Sequence, residues 1–267
     1  MAIVNVTDDS FYDKSRVIDS LAIENRIAQA VAEGATIIDV GGYSSRRGAV
    51  DIPHEVEWER VDMGVGAARM VAPKVAVSVD TFRSEIVRRT VEKYGAVIVN
   101  DITAGEGDNK MFDTVAELGL PYVAMHMRGT PQTMQSKTQY GDITREVVSS
   151  LATRAAELER RGVKRENIIL DPGFGFAKST EQNYELLFSL KELCNLGYAV
   201  LVGLSRKSMI YKPLQTTPQG ALAGTTALNW EALRQGATIL RVHDVEPAVQ
   251  ITKIFREYRD DKGFRDL

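Results

Sequence analysis

Residues Val75–Asp101 read V-A-V-S-V-D-T-F-R-S-E-I-V-R-R-T-V-E-K-Y-G-A-V-I-V-N-D. Val75–Asp80 is a β-rich run that ends on a carboxylate. Ser84–Tyr94 carries apolar residues at helical spacing, and Gly95 stops it. Val97–Asp101 is a second β-rich run, ending on Asn100-Asp101. The stretch is therefore a strand–helix–strand unit whose two strands both finish on polar residues. Near-continuous apolar strands of this kind suit a parallel sheet covered on both faces.

The same unit recurs outward in both directions. Further strand candidates are Ala2–Val6, Thr36–Gly41, Tyr122–His126, Ile168–Asp171, Ala199–Leu204 and Thr238–His243. Between them, helical spacing is read in a first segment ending at Gly34, with Leu21, Ile27 and Val31 assigned to its apolar face. It is read again in His54–Met70, Met111–Leu118, Ile143–Arg161, Glu181–Leu193, Leu222–Gln235 and Glu246–Arg259. Glycine follows several of these, as expected of C-terminal caps. Eight strand–helix units in 267 residues match an α/β (β/α)8 TIM barrel, read as a single domain over residues 1–267. A doubly wound open sheet would more often have fewer strands.

Composition narrows the class. Apolar residues make up 44%, which excludes a disordered chain. The one cysteine, Cys194, excludes a disulfide framework and a cysteine-based zinc site. No apolar run approaches a membrane span, and no signal peptide is read at the start, so a cytoplasmic protein without membrane association is expected. Lysine plus arginine number 33 against 36 acidic residues, a net charge of −3 that offers no reason to expect nucleic acid.

Polar residues close every strand: Asn5, Asp39, Asp80, Asn100-Asp101, His126, Asp171, Ser205-Arg206-Lys207, and Arg241 with His243. One such residue is usually a helix cap. All eight strands ending this way point to a small-molecule site at the C-terminal mouth, where barrel active sites are built. Asp80, Asn100 and Asp171 suit the edge of a flat, nitrogen-rich heterocycle, because a carboxylate accepts from a ring N–H and an exocyclic amine together. Lys207, Arg241 and His243, with Arg46 and Arg47, add cationic donors for phosphate.

Several stretches have two readings. Gly41–Gly48 (GGYSSRRG) can approach an anion through glycines, hydroxyls and arginines, or be a solvated loop. Asp171–Phe176 (DPGFGF) can wall an aromatic ring or be a turn; it lacks the G-x-G-x-x-G spacing of a dinucleotide fingerprint. Ser205–Ser208 opens a helix after the seventh strand, a place where barrels bind phosphate. His126 reads as a satisfied structural histidine and His54 as a surface residue. With no H-E-x-x-H motif a zinc hydrolase is not expected, whereas a hard cation held by one or two oxygens and a diphosphate is compatible.

Asn5–Phe11 (NVTDDSF), Ile38–Gly42, Val79–Thr81, Asn100-Asp101, Met125–Met127, Asp171–Phe176, Ser205–Ser208 and Arg241–Asp244 together resemble the dihydropteroate synthase family, in order over nearly the whole chain. The resemblance implies a barrel transferase of folate biosynthesis. Such enzymes join 6-hydroxymethyl-7,8-dihydropterin diphosphate to 4-aminobenzoate, release diphosphate and are inhibited by sulfonamides. It implies Asp80, Asn100, Asp171 and Lys207 as the pterin pocket. Asn5, Arg241 and His243 become the diphosphate site, with Asn5 also a magnesium ligand. Ser45, Arg46, Phe176, Lys207 and Ser208 become the aminobenzoate site. Asp80, Asp171, Lys207, Arg241 and His243 carry the catalysis, magnesium is the cofactor, and a homodimer is expected.

The chain departs from that pattern at Asp8, Asp13-Lys14, Ser45 and Arg47, where the family usually has proline, a glycine pair, threonine and proline. It also begins its first strand at residue 2, where the family commonly has a preceding hairpin. Altered sulfonamide affinity is the expected consequence of the loop changes. Two other readings compete with this one. A pterin-binding methyltransferase barrel would not need the Lys207 and Arg241–His243 set. An inactive paralogue would be expected to lose Asn5, Lys207 or Arg241, and all are present.

Overall fold

The computed structural model describes residues 1–6, 16–44, 51–130 and 133–260. Eight parallel strands follow in chain order: β1 (Ala2–Asn5), β2 (Ile37–Gly41), β3 (Ala76–Asp80), β4 (Ile98–Asp101), β5 (Tyr122–Met125), β6 (Ile168–Asp171), β7 (Ala199–Val202) and β8 (Ile239–Leu240). Each pairs with its sequence neighbour. Ala2 bridges Val242, and Ile3 N–H donates to the Val242 carbonyl at 3.0 Å, so the last strand returns to the first. The (β/α)8 barrel expected from the alternation is the observed architecture.

Helices fill the outside: α1 (Arg16–Ala32), α2 (His54–Val71), α3 (Ser84–Tyr94), α4 (Met111–Leu118), α5 (Ile143–Arg160), α6 (Thr180–Phe188), α7 (Leu190–Cys194), α8 (Ser208–Tyr211), α9 (Leu222–Arg234) and α10 (Val245–Asp260). Local chemistry sets their ends. The Asp142 carboxylate caps α5 by accepting from Arg145 N–H at 2.9 Å, and Ser179 with Gln182 forms a capping box on α6. Gly119, at φ 64°, closes α4 in the left-handed region.

Three details differ from the sequence reading. Leu21 is 57% exposed, and the buried line of α1 is Ile23, Ile27 and Ala30. A six-residue step on a helix turns by about 240°, so Leu21 and Ile27 could not share a face. The helix expected over Glu181–Leu193 is two, broken at Ser189 where ψ reaches 11°. After β7 the chain makes only the one-turn α8, because Pro213 and Pro218 lie in the segment beyond it; the long helix starts at Leu222. Ser205–Ser208 thus opens a helix after β7, as expected, but one of a single turn.

Apolar residues separate into two layers, as strand alternation requires. A small inner plug is built on Val123, Ile169 and Leu201, with Met1, Ile98, Ala199 and Ile239 packed against it. The larger layer lies between sheet and helices and includes Val40, Val79, Val99, Leu170 and Val202. The plug fills the barrel interior, so polar residues one step further along the strands collect at the mouth.

Gly64 shows how tightly the outer layer packs. A Cβ there would lie 2.5 Å from Val40 Cγ1 and 3.1 Å from Val6 Cγ2. Gly64→Ala gains about 1 kcal/mol of helix propensity but overpacks the interface at a cost of about 1–3 kcal/mol. The expected net result is a loss of up to about 2 kcal/mol, a fall of up to about 4–8 °C in the thermal unfolding midpoint. An unchanged midpoint would mean that Val40 turns aside freely.

Candidate active site

Strand register builds the mouth. Asn5 lies opposite Gly41, Gly41 opposite Asp80, and Asp80 opposite Asn100, so β1 to β4 contribute one level row. Gly41 leaves a gap in it: a Cβ there would face Asn5 Oδ1 at 3.5 Å and the Asp80 Cβ at 3.7 Å. On the other side, Asp171 ends β6 beside Met125 of β5, and Arg241 follows β8.

Arg241 ties this set together. Its Nε donates to Asp39 Oδ2 at 2.7 Å and its Nη2 to Asp80 Oδ2 at 2.7 Å. Asp39, fully buried, also accepts long contacts from Asn100 Nδ2 at 3.3 and 3.4 Å. Burial opposes the guanidinium charge, but Asp39 and Asp80 outweigh it and raise the Arg241 pKa. Burial pushes the Asp80 carboxyl up to about 7; Arg241 opposes this, and Asp39 adds to it. Asp171 is also raised by burial, against Lys207 and the Gly173 N–H that donates to its Oδ1 at 2.7 Å.

The turn after β6 meets the segment after β7. Lys207 Nζ donates to the Phe174 carbonyl and stands 5.0 Å from the Phe176 ring centroid. Burial lowers its pKa to about 8, with Asp171 opposing. Gly173 is required where it stands: φ is 68°, and a Cβ would lie 2.0 Å from the His126 carbonyl oxygen. Ser208 begins α8, directly after Lys207.

Arg206, next to Lys207, is committed elsewhere. It adopts φ 57° and binds Asp244 through Nε (2.8 Å) and Nη2 (2.6 Å), joining the segments after β7 and β8. His243 donates its backbone N–H to Ser205 Oγ at 3.2 Å, and its carbonyl accepts from Arg26 at 2.6 Å. Burial, then Arg241, lowers its imidazole to about 4. Where the sequence leads to the expectation of a cationic donor, burial makes this ring a neutral N–H donor at pH 7. Ser45, Arg46 and Arg47 lie outside the described residues, as do Asp8 and Asp13-Lys14.

His126 is the satisfied structural histidine expected. It is buried, its Nδ1 stands 3.1 Å from Lys178 Nζ, and burial with Lys178 lowers it to about 3. His54 is on the surface, near Glu85. Asp101 faces away from the mouth and accepts from Tyr122 Oη at 2.6 Å, Thr103 and Gly105 N–H. A cleft of about 630 Å3 runs beside His126, lined also by Arg128, Lys137 and Arg145, but Asp80, Asp171, Lys207 and Arg241 do not line it.

Sequence reasoning missed Lys178. It is 5% exposed and donates to the carbonyls of Gly173 and Phe176, both at 3.0 Å, so one ammonium gathers the turn that carries Asp171 and Phe176. Burial lowers its pKa to about 7, against the attraction of Asp171. Its only signal in the sequence is its place directly after the Gly-Phe-Gly-Phe-Ala run. Also missed were Glu57 and Arg83, buried beside β3.

The mouth thus holds a carboxylate–amide edge beside a cationic edge. The family model described as pterin binding enzyme matches residues 1–243. Dihydropteroate synthase of Escherichia coli (strain K12) is 40% identical over 259 residues, covering 95% of this chain and 89% of that protein. That of Haemophilus influenzae is 39% identical, over 96% of this chain and 92% of its own length. A solved Xanthomonas albilineans dihydropteroate synthase with 4-aminobenzoic acid superposes with a TM-score of 0.88 at 38% identity, covering 97% of this chain and 92% of that one. A Yersinia pestis dihydropteroate synthase in a sulfonamide drug complex gives 0.86 at 34%, with coverage of 97% and 94%. Likeness at this level over nearly the full length of both partners, on a barrel whose strand ends carry the expected polar set, means that the chain belongs to the dihydropteroate synthase family of pterin binding enzymes.

Proposed function

We propose that this barrel joins 6-hydroxymethyl-7,8-dihydropterin diphosphate to 4-aminobenzoate, yielding 7,8-dihydropteroate and diphosphate. The observation that carries the reading is the Asn5–Gly41–Asp80–Asn100 row facing Asp171, Lys207 and Arg241. Asp80, Asn100 and Asp171 read the pterin edge, where a carboxylate pairs with adjacent N–H donors and rejects analogues lacking them. Lys207 flanks that pocket from the segment after β7, and the apolar plug forms its floor.

The reaction needs little proton transfer. The bond from the pterin methylene carbon to the diphosphate oxygen breaks, and the electron pair leaves with diphosphate. Arg241 and the neutral His243 donate to the departing oxygens, and this preorganised charge lowers the barrier most. The aniline lone pair of 4-aminobenzoate then forms the new C–N bond, and its extra proton passes to water. Phe176, Lys207 and Ser208, with Ser45 and Arg46, hold the aminobenzoate so that attack is effectively intramolecular.

Magnesium fits this reading. Asn5 is half-buried at the mouth, with its Oδ1 and Asp80 Oδ2 both within 4 Å of one point at Gly41. No group of three His, Cys, Asp or Glu suited to a metal occurs among the described residues. A lone oxygen donor suits magnesium, which takes most of its ligands from phosphate and water. When bound it would neutralise diphosphate charge.

We also read residues 1–267 as one barrel unit that pairs as a homodimer. Trp230 of α9 stacks edge-on to Phe255 of α10 at 5.5 Å, beside Ile254, which is 60% exposed. Sedimentation of the purified chain as a monomer would remove the dimer reading. No helix among the described residues is long and apolar enough to cross a membrane.

The decisive experiment measures diphosphate release with the pterin diphosphate, with and without 4-aminobenzoate and magnesium. Release matched one-to-one by dihydropteroate is expected, and sulfonamide titration of the same assay reads the altered loop affinity. Pterin binding without turnover would indicate an inactive paralogue. Absence of pterin binding would sink the assignment of Asp80, Asn100 and Asp171.

A further inference from the structure

Asp39 puts a carboxylate where the barrel interior is otherwise apolar. The mouth row is Asn5, Gly41, Asp80 and Asn100. Two residues earlier along the same four strands, the register gives Ile3, Asp39, Ser78 and Ile98. Ile98 of that lower row packs on the apolar plug, and Asp39 is fully buried. Burying a carboxylate costs free energy, and a well-packed apolar side chain in place of a buried ion pair is often no less stable. The fold alone gives no reason for a charge at this position.

Its partners show what the charge does. Asp39 Oδ2 stands 2.7 Å from both Nε and Nη2 of Arg241, a side-on grip along one edge of the guanidinium. Its other contacts are the long ones from Asn100 Nδ2, so both partners belong to the mouth. Neutralising Arg241 does not call for Asp39, because Asp80 already accepts from Nη2 at 2.7 Å. The two carboxylates differ in access. The side chains of Arg241 and Asp80 are 22% and 17% exposed, whereas that of Asp39 is sealed at 0%. A ligand entering the mouth therefore competes for Asp80 but not for Asp39, which makes Asp39 the fixed end of Arg241. A planar guanidinium held along its Nε–Nη2 edge turns its Nη1 N–H groups away from the grip. Among the described residues, nothing accepts from Nη1.

We propose that Asp39 is a positioning residue for the departure of diphosphate: it grips Arg241 from beneath the mouth row and aims the free Nη1 edge at the leaving group. This rests on the reading that Arg241 meets the diphosphate of the pterin substrate. Asp39 touches no substrate atom, and its effect on diphosphate passes through Arg241.

The test is a double-substitution cycle of Asp39→Asn and Arg241→Met. It is read by the calorimetric Kd for inorganic diphosphate with magnesium and by the thermal unfolding midpoint. Asp39→Asn keeps the shape of the side chain and leaves Asp80 to neutralise Arg241, so the midpoint is expected to stay within about 4 °C. With Arg241 present, Asp39→Asn is expected to raise the Kd for diphosphate, and to lower kcat/KM for the pterin diphosphate, by about ten- to hundredfold, as for loss of a charge-assisted hydrogen bond. In Arg241→Met the same substitution is expected to move that Kd by no more than about twofold. There it should raise the midpoint, because it removes a buried carboxylate that has lost its cation. Equal losses in the two backgrounds would show that Asp39 does not act through Arg241, and a loss below about threefold that Arg241 needs no such grip; either overturns the role. So does an Asp39→Asn chain that fails to fold, since the charge would then belong to the fold. Failure of the unaltered chain to bind diphosphate and form dihydropteroate overturns the reaction reading itself, and this role with it.

Discussion

Asp80→Asn is expected to cut kcat/KM for the pterin diphosphate by about a thousandfold and to raise thermal stability above pH 7. The loss follows from replacing a group that accepts from two donors by one that presents its own N–H2 against them, leaving buried donors unpaired. The gain follows from linkage. Burial lifts the Asp80 carboxyl from 3.8 to about 7, with Arg241 opposing, so the folded chain holds a proton that the unfolded chain has already released. The stability contributed by that proton is fully present below about pH 4 and is lost as pH rises through 7. Asparagine has no such loss, and Arg241 retains Asp39 as its partner. The difference in unfolding midpoint, variant minus original, should grow between pH 5 and pH 8 and then level off. A difference constant with pH would show that Asp80 is ionised throughout. A fall in kcat/KM below about tenfold would remove it from the pterin edge.

Much of this was legible in the sequence because a barrel writes its plan locally. Each parallel strand is a short apolar run, and the residue that leaves the core at its end is polar whether or not neighbours are known. The Val75–Asp101 stretch gave both strands to within a residue and α3 at its observed limits. The side on which a strand-end residue falls was not legible. Asn100 and Asp101 are adjacent, yet alternation sends the first into the mouth and the second to Tyr122. Arg206 and Lys207 are likewise adjacent cations, separated only by the left-handed backbone that gives Arg206 to Asp244.

The residues missed outright are charges whose burial depends on distant partners. Lys178 meets His126 from 52 residues away, and Glu57 meets Arg83 across 26. In sequence, each looks like an ordinary charge on a helix or a turn. Their environments exist only once the barrel brings neighbouring connections together. The lowering of the His243 imidazole was hidden for a related reason: its largest cause is burial, which exists only in the folded barrel, with the nearby Arg241 adding to it.

Lys207 provides the second large effect. Burial lowers its ammonium to about 8, Arg241 adds to this and Asp171 opposes it, so its charge is lost just above physiological pH. A neutral amine balances Asp171 less well and attracts a diphosphate ester less. The value of kcat/KM for the pterin diphosphate should therefore fall about tenfold per pH unit above 8. Lys207→Met should lower kcat/KM at pH 7 by about a hundred- to thousandfold and abolish that limb. Lys207→Arg should keep a charge to higher pH, moving the limb out of range, at a reduced plateau because a planar fork replaces a single ammonium at the Phe174 carbonyl. Ionisations of the free substrate enter all three profiles equally and cancel in the comparison. Lys178, lowered to about 7, is the competing source of an alkaline limb. It grips the turn below Asp171 rather than the mouth, and Lys207→Met leaves it in place. A limb near pH 7 that survives in Lys207→Met would therefore belong to Lys178, and the charge that matters would be the one holding the turn.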